Sequence, residues 1–298
     1  GRAEAYREIA KELKNVDSSY IVSIQYVENE LYVDTKQAEE TEFPVLLMDW
    51  VDGIPLDKFL CEQCTSMSGY GKDQREYRLG KYALETLAYN FGQLGTWLKL
   101  QPFAHGDLKP DNILVQKNES LVLVDYDGMF VPSMKGQKTR ELGSLDFRHP
   151  QRTEEEFDDN VDNFSIASIL LSLEAISYDT NYYVKYGAPD RLLFSANDYR
   201  DITRCELIKN LLKIGIEELN KSTYLFVEEL LKVSDFLPFN GLDLKKTYGY
   251  KKDGRFFLCD TNFNNITQQD SRSPCQSVGC TPLQSSAELT VCRLLNQM

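Results

Sequence analysis

The hydrophobic pattern divides the chain into a strand-bearing opening and a longer helical remainder. Ala5, Ile9, Leu13 and Val16 recur at helical spacing with charges between them, which predicts a helix over 2–16. Val22, Ile24 and Tyr26 alternate with polar positions, which predicts a strand over 20–27. Glu28-Asn29-Glu30 reads as a turn into Leu31-Tyr32-Val33, and a polar acidic loop follows over 34–42. Phe43 to Val51 is a short apolar run of the kind expected of a buried strand. It closes on the turn signal Asp52-Gly53.

From there the period lengthens. Helices are predicted over 56–64 and 79–100, the second with an apolar stripe of Tyr82, Leu84, Leu87, Phe91, Leu94 and Leu98. Ile113-Leu114-Val115 and Leu121-Val122-Leu123-Val124 read as two small strands joined by the turn Lys117-Asn118-Glu119-Ser120. Residues 131–152 are polar and show little periodicity. The stretch 162–176 is apolar on most faces, which predicts a buried helix. Helical patterns resume over 207–219 and 224–231. Beyond 241 the pattern weakens, and 261–288, rich in Asn, Gln, Ser, Thr and Pro, reads as a mobile tail.

Charge narrows the choice of partners. Against 33 Lys and Arg stand 46 Asp and Glu, a formal charge of −13. Such a balance speaks against nucleic acid as the main ligand and against docking on an anionic membrane. The longest apolar run, Ile166 to Leu173, is far short of a bilayer span, and no secretory signal opens the chain. The seven cysteines are scattered, and an odd set of this kind is expected as free thiols in a reducing, cytoplasmic setting. Cys61 and Cys64, a C-x-x-C without a second pair, read as two ordinary thiols one helical turn apart. His149 reads as a structural part of the loop before Pro150.

The chemistry concentrates in His105-Gly106-Asp107-Leu108-Lys109-Pro110-Asp111-Asn112, followed by one strand, a turn, a second strand and Asp125-Tyr126-Asp127-Gly128. Phosphoryl transfer needs a carboxylate to orient the attacking hydroxyl, a cation for the moving phosphoryl, and hard oxygen donors for magnesium. A hairpin between 112 and 125 is a short way to bring such groups to one edge.

In order and spacing, HGDLKPDN and DYDG resemble the catalytic loop and magnesium motif of the protein kinase superfamily. The resemblance spans most of 1–235 and is most specific over 105–128. It implies an α+β, two-lobed fold. Residues 1–51 would be a partial small lobe with a hinge at 49–53, 52–240 a mainly helical large lobe, and 241–298 a partly disordered extension. It implies a Mg-ATP-dependent phosphotransferase, most of all a serine/threonine protein kinase of a bacterial kinase-like group, with a protein substrate. Asp107 would be the catalytic base and Lys109 would contact the transferred phosphate. Asn112 and Asp125 would hold magnesium and the nucleotide's phosphates. Met48 would back the nucleotide pocket, and Asp49 and Val51 would offer backbone groups to adenine. His105 and Asp162 would brace the catalytic loop. Glu8 is the candidate for the small-lobe ion-pairing glutamate, although periodicity places Glu12 nearer the apolar face.

The chain also departs from the pattern. Gly106 stands where an arginine is usual, so phosphate-driven ordering of 129–145 through that contact is not expected. His149-Pro150-Gln151 replaces A-P-E, and Asp127 stands in the motif's glycine position and receives no role. A glycine-rich loop and strand lysine would lie upstream of Gly1. Two other readings stay open: a small-molecule kinase of the aminoglycoside or choline type, and a pseudokinase scaffold.

Overall fold

The computed structural model describes residues 2–34, 36–37, 39, 41–67, 74–188, 190–200, 202, 204–214, 216–231, 249–252 and 255–258. It is a mixed α+β arrangement of small antiparallel sheets and a larger set of helices. The first helix, α1 (Arg2–Leu13), buries Ala5, Ile9 and Leu13 of the stripe its spacing foretells, and Ala10 beside them. It ends one turn earlier than Val16. Next, β1 (Ile24–Tyr32) pairs antiparallel with β2 (Glu42–Met48), from Ile24↔Met48 to Tyr32↔Glu42.

Two expectations change here. Residues 28–30 are not a turn between strands. They are an irregularity inside the single strand β1, where the register shifts between Val27 and Leu31 and Asn29 adopts φ 52°. Asparagine tolerates that left-handed conformation, so one local signal serves a bulge as well as a hairpin. Nor is β2 buried. Met48 is 41 % exposed and Trp50, just beyond it, 93 %.

A second sheet runs β3–β4–β5, from β3 (Ile54–Pro55), β4 (Ile113–Val115) and β5 (Leu121–Leu123). The register Ile113↔Leu123 and Val115↔Leu121 makes β4 and β5 the foreseen hairpin. The segment before β1 docks on this hairpin, with the Leu123 N–H donating to the Tyr20 carbonyl at 2.8 Å. Tyr126 strengthens that junction. Its fully buried hydroxyl accepts from the Val22 N–H and donates to the Leu123 carbonyl, both at 2.8 Å. Burial pushes its phenol up to about 12. Tyr126→Phe would strand a buried N–H, so a loss of about 1–3 kcal/mol is expected in urea unfolding, with faster exchange of the Val22 amide.

The helical part is built around α4 (Asn163–Tyr178), in which every residue except Glu174, Ser177 and Tyr178 is buried. It packs against α3 (Gln74–Leu98) and α8 (Glu217–Leu231). Its serines are satisfied inside that core: Ser165 Oγ donates to the Phe147 carbonyl at 2.7 Å and Ser172 Oγ to the Ser168 carbonyl at 2.8 Å. Phe164, Phe194, Tyr199 and Phe226 form a ring cluster that fastens α8 and α6 (Ala196–Arg200) to α4. The remaining helices are α2 (Leu56–Met67), α5 (Asn181–Tyr186) and α7 (Glu206–Ile214).

The sequence pattern misses α5 and α6, which are too short to show a period. It also misplaces the break near the end, because α7 stops at Ile214 and α8 starts at Glu217. In the C-terminal region the described part is a hairpin, β6 (Gly249–Lys252) with β7 (Arg255–Leu258). The mobile tail expected over 261–288 lies outside the described residues. Among the described residues no helix is long and apolar enough to cross a membrane. Cys61 and Cys64 lie one turn apart on α2, neither in a disulfide, the first exposed and the second buried.

Candidate active site

Two backbone bonds between Ala104 and Phe130 bring the start of the loop 105–112 beside the chain that leaves β5. Asp162, fully buried before α4, receives the next two amides. The His105 N–H donates to Oδ2 at 2.5 Å and the Gly106 N–H to Oδ1 at 2.9 Å. Burial pushes this carboxyl up, while His105, these amides and the Arg152 charge pull the other way. The His105 ring contributes from the other side, with Nε2 2.9 Å from the Val124 carbonyl, so the proton sits on Nε2. These contacts fix the loop on the element core, with Asp107 presented at its turn.

Asp107 is 12 % exposed and both its oxygens are engaged. Oδ1 accepts from the Ser144 N–H at 2.9 Å, and Oδ2 lies 2.8 Å from Lys109 Nζ. Burial pushes its carboxyl up. The Lys109 hydrogen bond and charge and the Ser144 amide outweigh that and hold it below the usual carboxylate range. Burial likewise pushes Lys109 down, but Asp107, Asp125 and Asp111 hold its ammonium above its ordinary value. The pair is therefore fully ionised at neutral pH.

Because Asp107 titrates low in the folded chain, its contribution to stability is present above the unfolded carboxylate value of about 3.9. It is lost as the pH falls through the lower folded value. Lys109→Met removes the stabilising cation. The acid limb of any activity that depends on ionised Asp107 is then expected to move to higher pH, which a pH–rate profile reads directly.

A 3-10 turn, Pro110–Asn112, carries the loop into β4. The buried Asn112 points its Nδ2 back at the Asp107 carbonyl, 2.9 Å away. That bond fixes the amide's orientation and leaves Oδ1 as its donor toward a cation. Beyond β5, Asp125 is exposed, adopts φ 66° and adds its charge to the field on Lys109. Asp107, Lys109, Asn112 and Asp125 therefore share one edge.

Magnesium suits this donor set: one amide oxygen and one carboxylate, hard oxygens that leave room for phosphate and water. Among the described residues no group of three or more His, Cys, Asp or Glu could hold a metal, so any cation here would depend on its phosphate ligands.

The other expected residues are placed less tightly. Met48 ends β2, and the Asp49 N–H already donates to the Ser23 carbonyl at 3.2 Å. Val51 packs partly on the core. Glu8 and Glu12 are both half-buried on α1, and Glu8 has no ion pair among the described residues. The helix reaches the site differently, through an ion pair from Arg2 to Asp127. Its Arg7 pairs with Glu28 at 2.5 Å.

The segment 131–152, read from the pattern as polar and weakly periodic, contributes more to the site than that reading indicates. Val131, Met134, Thr139, Phe147 and Arg152 are buried there, and its Ser144 amide holds Asp107. Only the glycine before Ser144 hints at such a close approach.

Beside Lys109 opens a cleft of 420 Å³ lined by Asp57, Asp111, Asp146, Asp190 and Arg191 among others. Burial and the charge of Asp57 push the Asp111 carboxyl up.

Comparison of the chain with protein-family models and with curated proteins finds no match.

Proposed function

We propose that this chain is a Mg-ATP-dependent phosphotransferase with a two-lobed protein-kinase-like fold, acting on hydroxyl groups of proteins. The observation that carries the reading is the Asp107 carboxylate. It is held between Lys109 Nζ and the Ser144 amide, with Asn112 locked behind it and Asp125 on the same edge. In this reading Asp107 orients the acceptor hydroxyl and takes its proton as the bond from the hydroxyl oxygen to the γ-phosphorus of ATP forms and the bond from that phosphorus to ADP breaks, with ADP leaving. Lys109, fixed by the same carboxylate, stands ready to neutralise charge on the transferred group. Asn112 Oδ1 and Asp125 would hold magnesium, which when bound screens the phosphate oxygens from one another. The segment ending near Met48, Asp49 and Val51 would receive adenine.

A low carboxylate pKa suits an orienting role. The group is ionised before substrate arrives, and the proton is lost late, when the hydroxyl has become acidic. A second reading, phosphorylation of a small cationic molecule, draws support from the acid-lined cleft beside Lys109.

The test is transfer of labelled γ-phosphate from Mg-ATP to a basic protein and, in parallel, to amino sugars and choline, beside Asp125→Asn. Protein labelling that disappears in the variant establishes the proposal. Labelling of the small acceptors alone moves it to the second reading. Nucleotide binding without transfer to either, or no binding, leaves a scaffold and overturns it.

A further inference from the structure

The position before Asp107 is glycine, and no side chain could stand there: a Cβ on Gly106 would lie 1.8 Å from the Gly128 carbonyl oxygen. Yet a cation does reach this point, from a residue 46 positions further on. Arg152, 8 % exposed, donates from Nη1 to the Gly106 carbonyl at 2.7 Å. A Cβ on Gly143 would touch three groups at once, at 3.1 Å from Asp107 Oδ1, 3.1 Å from the Gly106 carbonyl and 3.5 Å from Arg152 Nη1. The guanidinium, the catalytic-loop carbonyl and the catalytic carboxylate thus meet at one junction.

The geometry points to Arg152 as a positioning residue that clamps the loop bearing Asp107 to the segment 143–152, in place of a cation in the loop itself. The inference rests on the phosphotransferase reading only for its activity readouts. Two further observations support it. Arg152 is set in place from behind. Its own N–H donates to the His149 carbonyl at 3.0 Å, and His149 lies with Nε2 3.0 Å from the Leu230 carbonyl of α8. Moreover, Arg152 Nε and Nη2 have no hydrogen-bond partner among the described residues. A buried cation with so few bonds is costly, and packing alone would be served better by a neutral side chain. What the charge can do is hold the Gly106 carbonyl, and with it the approach of the Ser144 amide to Asp107. The field on Arg152 has Asp162, Asp107 and Glu156 on one side and Arg148 on the other.

The full chain is compared with Arg152→Met and Arg152→Lys. With Met, kcat is expected to fall about tenfold to a hundredfold while KM for ATP changes less than about threefold. The acid limb of kcat is expected to rise by about one pH unit as the Ser144 amide loosens. Lys restores most of kcat. Independently of activity, amide exchange at Ser144 and Gly106 accelerates with Met and not with Lys. Should Arg152→Met fail to fold, Arg152→Gln replaces it. Unchanged kcat and unchanged exchange overturn the inference, as does a variant that loses thermal stability with no change in kcat, pH limb or exchange. If the wild-type chain transfers no phosphate at all, the functional reading falls. The exchange arm then decides alone: acceleration at Ser144 sustains the clamp, and its absence removes it.

Discussion

Asp107→Asn is expected to lower phosphate transfer about 10²- to 10⁴-fold while Mg-ATP affinity and folding are little changed. The substitution keeps the shape of the side chain and one carbonyl-type oxygen, so the Ser144 N–H, 2.9 Å from Oδ1, keeps an acceptor. What goes is the charge. Lys109 loses the partner 2.8 Å away, and the acceptor hydroxyl loses the group that would take its proton. In the proposed function, nucleotide binding would draw on other residues, Asn112 and Asp125 for the phosphates and the 48–51 segment for adenine, which is why it should survive. Single-turnover transfer beside calorimetric titration of Mg-ATP separates the two quantities. A variant that transfers within threefold of the wild-type rate would remove Asp107 from the mechanism.

Gly106→Ala should have the largest effect on stability, about 4 kcal/mol or more. Gly106 has φ +82°, a region that L side chains rarely enter, and the added Cβ would press on the Gly128 backbone at 1.8 Å from O and 2.6 Å from C. Neither partner is a flexible side-chain end, so relief requires moving the loop away from Asp162 and Arg152. Gly136 supplies the control. It has the same φ of +82°, but nothing lies within 4 Å of its missing Cβ, so Gly136→Ala carries only the conformational cost of about 1 kcal/mol. Urea midpoints of the two variants measure the difference. Equal losses would mean that backbone strain, and not the contact with Gly128, requires glycine at 106. The same contact explains why no side chain, an arginine included, fits at this position.

Much of the architecture was legible because it depends on local repetition. The stripe of α1, the long α3, the fully apolar α4 and the β4–β5 hairpin all follow from which positions carry apolar side chains. The order of Asp107, Lys109, Asn112 and Asp125 was legible for a related reason. A single hairpin separates the two halves of the set, so short-range folding is enough to bring them to one edge. The readings that failed were those in which one local signal serves two structures. Glu28-Asn29-Glu30 suits a turn or a bulge. The run 43–51 suits a buried strand, but Leu47 and Met48 lie exposed, because what covers a strand is set by distant parts of the chain.

By itself, then, the sequence determined the longer elements, the clustering of four chemistry-bearing residues and the acidic charge balance. These depend on composition and on spacings of a few residues. Only the tertiary structure decided what holds Asp107. The Ser144 amide reaches Asp107 from 37 residues away, the Arg152 guanidinium reaches the adjacent Gly106 carbonyl across 46 and, at the neighbouring junction, the Tyr126 hydroxyl meets Val22 across 104. Such bonds join segments with no shared period, and their strength comes from burial. Arg152, on paper one more charge in a polar stretch, becomes a buried cation only when 143–152 folds back onto the loop 105–112.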